Sequence, residues 1–318
     1  MSGTDREADI SGILIIAKPT GPTSHDVVAL VRRLSGIRRV GHGGTLDPFA
    51  SGVLPVFLGR STRLVEYHLG DRKRYRATIC FGARSTTDDL DGELTAVGIA
   101  PDRATVEAAL AAFRGEIEQV PPSYSAINVG GRRAYALARA GITPQLAPRT
   151  VTIQALDLLD WDDTDADRPL AIVEVECSAG TYIRALARDL GARTGSGAYL
   201  GALVRLASGT FVLDDAVSLD VVRSAATSEP PRLAELVRPA TTGLERFPRA
   251  VLSESEVAAI TRGQFVRPSR PIEMPDGPDG RLRLFDEADR LVAIARWSDG
   301  RLAPEKVLVE RVEDPTDA

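Results

Sequence analysis

The segment RYRATICFG, residues 74 to 82, places the strongest constraint on the fold, because its apolar and polar side chains alternate with a period of two. One face would carry Tyr75, Ala77, Ile79 and Phe81, and the other Arg74, Arg76, Thr78 and Cys80. Such a pattern is typical of a half-buried β-strand. AIVEVEC, residues 171 to 177, alternates in the same way, and GILIIAK, residues 12 to 18, is a short apolar run typical of a buried strand. These segments predict a sheet with at least one covered face.

Helical periodicity accompanies these strands. TSHDVVALVRRLSG, residues 23 to 36, begins with capping residues and ends at Gly36, which predicts an amphipathic helix with a basic outer face. PDRATVEAALAAFRG, residues 101 to 115, predicts a second helix that ends at Gly115, and GTYIRALARDLGARTG, residues 180 to 195, a third that Gly191 closes. Because strands and helices do not alternate strictly, we expect an α+β domain with a mixed sheet.

Beyond about residue 245 the sequence changes in character. A short helical segment, SESEVAAITRG, is followed by the strand patterns RLRLF and LVAIARW, with the turn DEADR between them. Residues 222 to 243 would connect this small β-rich module to the rest, although their Leu-rich middle could itself be helical. A chain of 318 residues, 43% of them hydrophobic, can bury two cores of this kind. We therefore expect a large domain over residues 1–245 and a small one over residues 246–318.

Composition excludes several classes of protein. Cys80 and Cys177 are too few for a disulfide framework, and three histidines at unrelated spacings do not form a zinc motif. No stretch approaches 18 consecutive apolar residues, and the N-terminal residues lack the features of a signal peptide. We expect a cytoplasmic protein that does not enter a membrane and uses neither redox nor metal chemistry.

The net charge of −5 argues mildly against a nucleic-acid partner, but the basic residues are clustered along the sequence. The first cluster comprises Arg32, Arg33, Arg38, Arg39, Arg60, Arg63, Arg72, Lys73, Arg74 and Arg76, and the second Arg132, Arg133, Arg139 and Arg149. Acids gather elsewhere, as in residues 160–169. Any one cluster could be an ordinary solvated face. Two clusters on either side of a glycine-rich run favour a surface that contacts nucleic acid.

That run, GHGGTLDPFASGVLPVFLG, spans residues 41 to 59 and contains a single carboxylate, Asp47. It lacks the spacing of a dinucleotide-binding loop or a P-loop, which argues against a phosphate cradle. A purely structural turn stays open, since glycines and Pro48 suit such a role. However, His42, the apolar residues that follow and the arginines nearby favour a poorly hydrated, ionised carboxylate, which is a competent nucleophile.

The same run resembles, almost residue for residue, the motif around the catalytic aspartate of TruB-type pseudouridine synthases, which modify uridine 55 in the T-loop of tRNA. The resemblance continues, in the order of that family, in KPTGPTSHDVV (18–28), RYRATICFG (74–82), PPSYSAINVGGRRAYALARAG (121–141) and GTYIRALARDLG (180–191). The last module is similar to the small PUA-type RNA-binding barrels. The resemblance implies a mixed-sheet pseudouridine synthase catalytic domain with a C-terminal PUA-like β-barrel domain.

The resemblance also implies roles for individual residues. Asp47 would be the nucleophile, Tyr75 would stack on the uracil ring, and Arg184 would pair with Asp47 through two parallel bonds and keep it ionised. The substrate-binding residues would be His42, which fills the space left by the flipped uridine, together with Tyr182 and Leu203. Lys18, next to Pro19, is grouped with them and would support the loop of the site. The implied partner is the T-arm of tRNA, bound by a monomer, and the implied reaction needs no cofactor.

Three alternatives stay open from the sequence. The chain could modify another RNA, or it could bind or fold tRNA without catalysis, although a binder has no use for a nucleophile in an apolar pocket. A glycoside hydrolase is less favoured, because it needs two carboxylates across the bond. One departure from the family pattern is Asn128, which stands where related sequences usually have lysine and puts a phosphate contact there in doubt. The acidic run at residues 87–93 fails the calcium-loop spacing and is interpreted as a loop of the fold.

Overall fold

Strands and helices follow one another along the chain and form two main sheets, one of ten strands and one of four. The computed structural model describes residues 10–125, 127–229, 231–273 and 280–309. The strands are β1 (Gly12–Lys18), β2 (Val40–His42), β3 (Ser51–Leu58), β4 (Lys73–Phe81), β5 (Ala83–Ser85), β6 (Leu94–Ala96), β7 (Gly115–Gln119), β8 (Asn128–Val129), β9 (Arg132–Arg133), β10 (Arg149–Asp162), β11 (Leu170–Cys177), β12 (Ala198–Ser208), β13 (Phe211–Val212), β14 (Val217–Ser218), β15 (Arg249–Val251), β16 (Arg281–Phe285), β17 (Leu291–Ser298) and β18 (Arg301–Val307). The α-helices span Ser24–Ser35, Val65–Leu69, Arg103–Leu110, Ala134–Arg139, Ile183–Thr194, Leu219–Thr227 and Glu254–Thr261. Short 3₁₀ helices span Gly59–Leu64, Ala111–Phe113, Leu213–Asp215 and Leu233–Leu236.

The larger sheet runs in the order β14-β1-β3-β12-β4-β11-β10-β7, with β13 paired to β12 and β2 paired to β3. The pairs β1–β14 and β3–β12 are parallel, and the other pairs are antiparallel. The sheet is therefore mixed, which confirms the α+β fold class expected from the sequence. Strand β4 lies near the middle, so residues on either of its faces are close to several other strands.

Local sequence patterns account for these elements. Strand β4 points Tyr75 and its apolar neighbours into the core and Arg74 and Arg76 outward, as the alternation predicts. The helix Ser24–Ser35 starts at a capping box in which Thr23 and Asp26 bond each other's backbone, and it ends at Gly36 with φ of 71°. Both predictions are confirmed.

The prediction that Gly191 closes its helix is wrong. The helix Ile183–Thr194 continues past it and ends at Gly195, where φ is 75°. A Cβ atom on Gly191 would lie 2.1 Å from the backbone nitrogen of Ala198, so this glycine lets the helix pack closely on the start of β12. The second predicted helix is also shorter than expected, since it passes into a 3₁₀ turn before Gly115, which instead begins β7.

The helices Arg103–Leu110 and Ile183–Thr194 cover one face of the sheet and bury a core to which Tyr75, Leu203 and Leu186 belong. The helix Ser24–Ser35 covers a second core built on β1 and β3. The segment that carries Asp47 connects β2 to β3 beside the first core. The fold thus brings together the first residues of β3 and β4, the second half of β12 and the start of the helix Ile183–Thr194.

The smaller sheet has the order β15-β16-β17-β18, with the helix Glu254–Thr261 packed on it. It contacts the larger domain through an apolar cluster that includes Tyr67, Phe247 and Leu308. An ion pair of 2.7 Å between Lys306 and Glu66 adds to this contact. The β-rich C-terminal module expected from the sequence is confirmed. Within the described residues, no helix combines the length and apolar character that a membrane span requires.

Candidate active site

Asp47 lies in a tight segment that is tied to the body of the protein on both sides. Gly43 donates its backbone N–H to the carbonyl of Pro55 at 2.9 Å, and Gly44 has φ of 125°, a conformation that favours glycine. The hydroxyl of Ser24 both accepts from the N–H of Leu46 at 2.8 Å and donates to its carbonyl at 3.1 Å. These bonds hold the backbone next to Asp47 in one conformation.

Arg184 is brought to Asp47 by the start of the helix Ile183–Thr194. Its Nε lies 3.0 Å from Oδ2 of Asp47, and the side chains are 8% and 34% exposed, respectively. The arginine is thus buried, while the aspartate keeps one open side towards solvent. A carboxylate held in this way is oriented by a cation and still accessible to a substrate.

The prediction of two parallel bonds between Arg184 and Asp47 is wrong, because the other nitrogen atoms of the guanidinium contact other groups. Nη1 lies 3.2 Å from Oδ2 of Asp89 and 3.4 Å from the carbonyl of Thr87, and Nη2 donates to the carbonyl of Tyr124 at 2.9 Å. Nε is the atom that lies 3.0 Å from Asp47, and Nη1 and Nη2 contact Asp89, Thr87 and Tyr124. The guanidinium is therefore anchored by groups other than the nucleophile candidate.

Asp89 was missed as a site residue in the sequence. It is buried, and its only sequence signal was the acidic run at residues 87–93, which was interpreted as a loop. An acidic run does not show which of its carboxylates is buried. Arg188, one helical turn after Arg184, pairs with the neighbouring Asp88 at 2.9 Å. Two arginine–aspartate pairs thus fasten this loop to the helix.

The surroundings of Asp47 shift its acidity. Burial raises the pKa of Asp47 above its usual value, the positive charge of Arg184 opposes that rise, and the negative charge of Asp89 adds to it. Lys18 also opposes the rise. The effect of burial is larger than that of the two positive charges, so the pKa of Asp47 is raised. The ionised form of Asp47 therefore depends on Arg184 remaining in place.

Tyr75 and Leu203 lie on the same face of the sheet, in the core that also contains Leu46 and Ala50 from the Asp47 segment. Both are buried, at 9% and 8% exposure, and Leu203 stands opposite Ala77 in the β4–β12 register. Burial raises the pKa of the Tyr75 hydroxyl, which therefore stays neutral near pH 7. A core aromatic would be buried to the same degree, so stacking of Tyr75 on a base stays a prediction.

Arg205 is a second residue that the sequence did not reveal. Its side chain is 1% exposed, and it donates to the carbonyls of Val53 at 2.8 Å, Thr45 at 3.3 Å and Gly44 at 3.1 Å. It also interacts with the hydroxyl of Tyr75. Its only signal was one charge inside the largely apolar strand AYLGALVRLAS. Arg205 ties the segment that carries Asp47 to the strand beside Tyr75.

We expect Arg205→Lys to lower the single-turnover rate of the isomerisation that the resemblance implies about 10²-fold. One ammonium group cannot reach the three carbonyls that surround the planar guanidinium. The free energy of unfolding should fall by about 1 to 3 kcal/mol for each buried carbonyl left without a donor. Thermal denaturation and single-turnover assays measure the two effects. Arg76→Lys, on the opposite face of β4, is the matched control, and an unchanged rate in Arg205→Lys would contradict this role.

His42 lies at the end of β2, beside the Asp47 segment. Its Nδ1 accepts the N–H of Gly44 at 3.3 Å. Burial lowers the pKa of His42, and the positive charge of Arg205 lowers it further, so the ring is neutral near pH 7. A neutral, half-buried ring is compatible with filling a space left by a flipped base, which stays a prediction.

Lys18 is buried and donates to three backbone carbonyls, those of Pro19 at 3.0 Å, Pro22 at 2.8 Å and Pro48 at 3.3 Å. Burial lowers its pKa to about 8. All three hydrogens of its ammonium group have acceptors, so this geometry supports a role in bracing the Asp47 segment rather than direct contact with a substrate. Tyr182 is half-buried and immediately precedes the helix that carries Arg184.

Part of the first basic cluster does not form the free basic surface expected from the sequence. Arg72 lies 3.5 Å from Glu176, and Arg74 and Arg76 lie 3.8 and 3.7 Å from Glu174, on the face of β4 opposite to Tyr75. Strand β11 supplies these glutamates, which lie about a hundred residues further along the chain. Arg132, in contrast, is exposed on the hairpin β8–β9.

Within the described ranges, no group of three or more His, Cys, Asp or Glu side chains is placed to hold a metal ion. The site therefore consists of the Asp47–Arg184–Asp89 network and of Tyr75 and Leu203 in the core that adjoins the Asp47 segment. It offers one accessible carboxylate, one buried cation and an apolar surface next to both.

Known proteins resemble this chain over most of its length. Residues 32–183 match the family model described as TruB family pseudouridylate synthase (N terminal domain), and residues 248–308 match Pseudouridine synthase II TruB, C-terminal. The chain is 51% identical over 304 residues to tRNA pseudouridine synthase B of Gloeobacter violaceus, covering 94% of this chain and 99% of the relative. It is 40% identical to the protein of the same name from Bradyrhizobium diazoefficiens, with 94% and 86% covered.

The fold is also similar to that of a solved structure. A chain in the crystal structure of the archaeal box H/ACA sRNP Nop10–Cbf5 complex superimposes with a TM-score of 0.71 at 26% identity, covering 95% of this chain and 87% of that one. The chain is thus similar in sequence to these relatives over nearly its full length and shares its fold with this structure. The chain belongs to the TruB family of pseudouridine synthases, which are isomerases.

Proposed function

We propose that this protein isomerises uridine 55 in the T-loop of tRNA to pseudouridine, with Asp47 as the nucleophile. The relatives at 40% and 51% identity carry the name tRNA pseudouridine synthase B, which supports tRNA as the substrate. The observation that carries the mechanism is the accessible carboxylate of Asp47 held 3.0 Å from the buried guanidinium of Arg184. Tyr75 belongs to the core cluster that also contains Leu46 and Ala50 from the Asp47 segment, which supports its role as a stacking surface near the reacting group.

The reaction breaks the C1′–N1 bond of the uridine and makes a C1′–C5 bond in its place. Asp47 attacks C1′, and the electron pair of the broken bond goes to the uracil, which turns and attacks C1′ through C5 while the carboxylate leaves. The hydrogen on C5 is released to water, and N1 gains a proton. A glycal-type route, in which the same carboxylate removes a ribose proton, would use the same geometry. Throughout, the uracil must stay bound.

The remaining residues hold the flipped nucleotide. Tyr75 stacks on the uracil, with Tyr182 and Leu203 lining the same pocket, and His42 takes the space vacated in the T-loop. We further propose that residues 1–245 perform catalysis, that residues 246–318 bind RNA, and that one monomer engages one T-arm.

The test is release of tritium from a tRNA transcript labelled at C5 of uracil, since C5 loses its hydrogen only when the new carbon–carbon bond forms. The matched substrate is the same transcript with cytidine at position 55. Release from the first transcript alone is the expected result. Release from both would indicate another RNA specificity, and tight binding without release would indicate a non-catalytic tRNA-binding protein.

Affinity for tRNA should fall steeply as salt is raised, because phosphate contacts release counterions. Arg132 is exposed on the hairpin β8–β9, so Arg132→Ala should reduce the slope of log Kd against log salt by roughly one unit. Arg74→Ala is the control, since Arg74 is paired with Glu174 on the face of β4 that is opposite to Tyr75. A salt-insensitive complex, or equal slopes for Arg132→Ala and the unmodified protein, would contradict a phosphate contact at Arg132.

A further inference from the structure

Gln119 is a buried polar residue that no step of the proposed reaction uses. It ends β7, and only 1% of it is exposed. Its side-chain Nε2 donates to the carbonyl of Tyr182 at 3.1 Å, while its Oε1 accepts the N–H of the same residue at 2.8 Å. Glutamine is seldom fully buried, and here each half of its amide is satisfied by one backbone position.

The two bonds of Gln119 are made to the residue at which the chain enters the helix that carries Arg184. Tyr182 is the residue immediately before the helix Ile183–Thr194, and its own side chain makes no capping hydrogen bond to that helix. The amide of Gln119 therefore fixes the point at which the chain enters the helix, two residues before Arg184. A change in this point would turn or shift the first helical turn and, with it, the guanidinium of Arg184.

The chain that follows Gln119 contacts the same helix twice more. Arg188 donates through Nη2 to the carbonyl of Val120 at 2.8 Å, and Arg184 donates through Nη2 to the carbonyl of Tyr124 at 2.9 Å. The segment 119–124 is thus joined to the start of the helix by four hydrogen bonds, two with Tyr182 just before the helix and one each with Arg184 and Arg188. It then leads to the hairpin β8–β9 and to the helix Ala134–Arg139, in which Tyr135 donates its N–H to the carbonyl of Ser125 at 3.0 Å.

We propose that Gln119 is a positioning residue for the isomerisation, whose amide holds Tyr182 and Arg184 where Nε of Arg184 reaches Asp47. A displacement of about 1 Å at a reacting group can slow a reaction roughly 10²-fold. The inference rests on the proposed function, because its effect is on the rate of that reaction. It assigns a role to a side chain that does not itself touch the substrate.

Gln119→Met and Gln119→Glu test this role. Methionine keeps the length of the side chain and loses both bonds, whereas glutamate keeps the acceptor for the N–H of Tyr182 and loses the donor. We expect Gln119→Met to lower the single-turnover rate at saturating enzyme about 10- to 100-fold, with the Kd for tRNA changed less than about threefold. Glu116→Gln, an exposed change on the same strand, should leave both quantities unchanged.

Two further readouts separate positioning from general stability. In a double-mutant cycle, Gln119→Met and Arg184→Lys should be non-additive, because the first acts through the second, whereas Gln119→Met and Arg132→Ala should be additive. The rate of Gln119→Glu relative to the unmodified protein should rise as pH is lowered, since a protonated carboxyl regains a donor for the carbonyl of Tyr182. Measurements are made well below the melting temperature of each variant.

A single-turnover rate for Gln119→Met within about twofold of the unmodified protein would overturn the inference, as would full additivity with Arg184→Lys. Asp47→Asn is assayed alongside. If Asp47→Asn is inactive and Gln119→Met is normal, the inference about Gln119 fails while the proposed function stands. If Asp47→Asn retains activity, the proposed mechanism itself fails.

Discussion

Asp47→Asn should lose at least roughly 10⁴-fold in single-turnover rate while binding tRNA almost normally. The substitution keeps the shape of the side chain and removes the charge, so the nucleophile disappears and the contacts to RNA remain. Rates at saturating enzyme and a separate measurement of Kd distinguish the two effects. Asp163→Asn, the same change in the exposed acidic segment at residues 160–169, is the control. Substantial turnover in Asp47→Asn would contradict the nucleophile assignment.

The same variant should be at least as stable as the unmodified protein near neutral pH. Burial raises the pKa of Asp47 in the folded protein, so the folded state holds this proton more tightly than the unfolded chain. Ionisation of Asp47 therefore reduces stability as pH rises from the unfolded pKa through the raised folded one, and asparagine avoids that loss. Thermal denaturation at pH 7 tests this, and a clearly lower melting temperature would show that Asp47 stabilises the fold.

The second large effect is expected for Arg184→Lys, whose saturated single-turnover rate should fall at least roughly 10²-fold with little change in Kd. Lysine has one ammonium and cannot reach Asp47, Asp89 and the carbonyl of Tyr124 together. Disrupting the buried pair of Arg184 with Asp89 costs on the order of 3 to 5 kcal/mol of stability. Arg188→Lys, one turn along the same helix and paired with Asp88, is the matched control and should lose less activity.

The pH dependence of Arg184→Lys follows from the charges around Asp47. With the guanidinium gone, burial and the charge of Asp89 act with less opposition, so the pKa of Asp47 rises further. A smaller fraction of Asp47 is then ionised at neutral pH, and the residual rate should increase as pH is raised. A variant with a normal saturated rate and weakened binding would instead assign Arg184 to RNA binding.

Several features could be read from the sequence because neighbouring residues decide them. The alternation in β4 depends only on side chains a few positions apart, and it correctly directed Tyr75 inward. Thr23, Asp26 and Gly36 mark the ends of a helix through bonds that span three or four residues. The family resemblance of residues 41–59 went further, since it predicted the pairing of Asp47 with Arg184 across the fold.

The tertiary structure alone decided how the site is supported. Gln119 and Tyr182 are 63 residues apart, and Arg205 and Gly44 are 161 apart. In both cases the acceptor or donor on one side is a backbone group, which every residue possesses and which therefore leaves no mark in a sequence. Asp89 differs from the other acids of its run only in being buried against Arg184. Local patterns determined the strands, the helices and the residue types available for chemistry, whereas burial and long-range contacts with the backbone determined which side chains hold Asp47 and Arg184 in place.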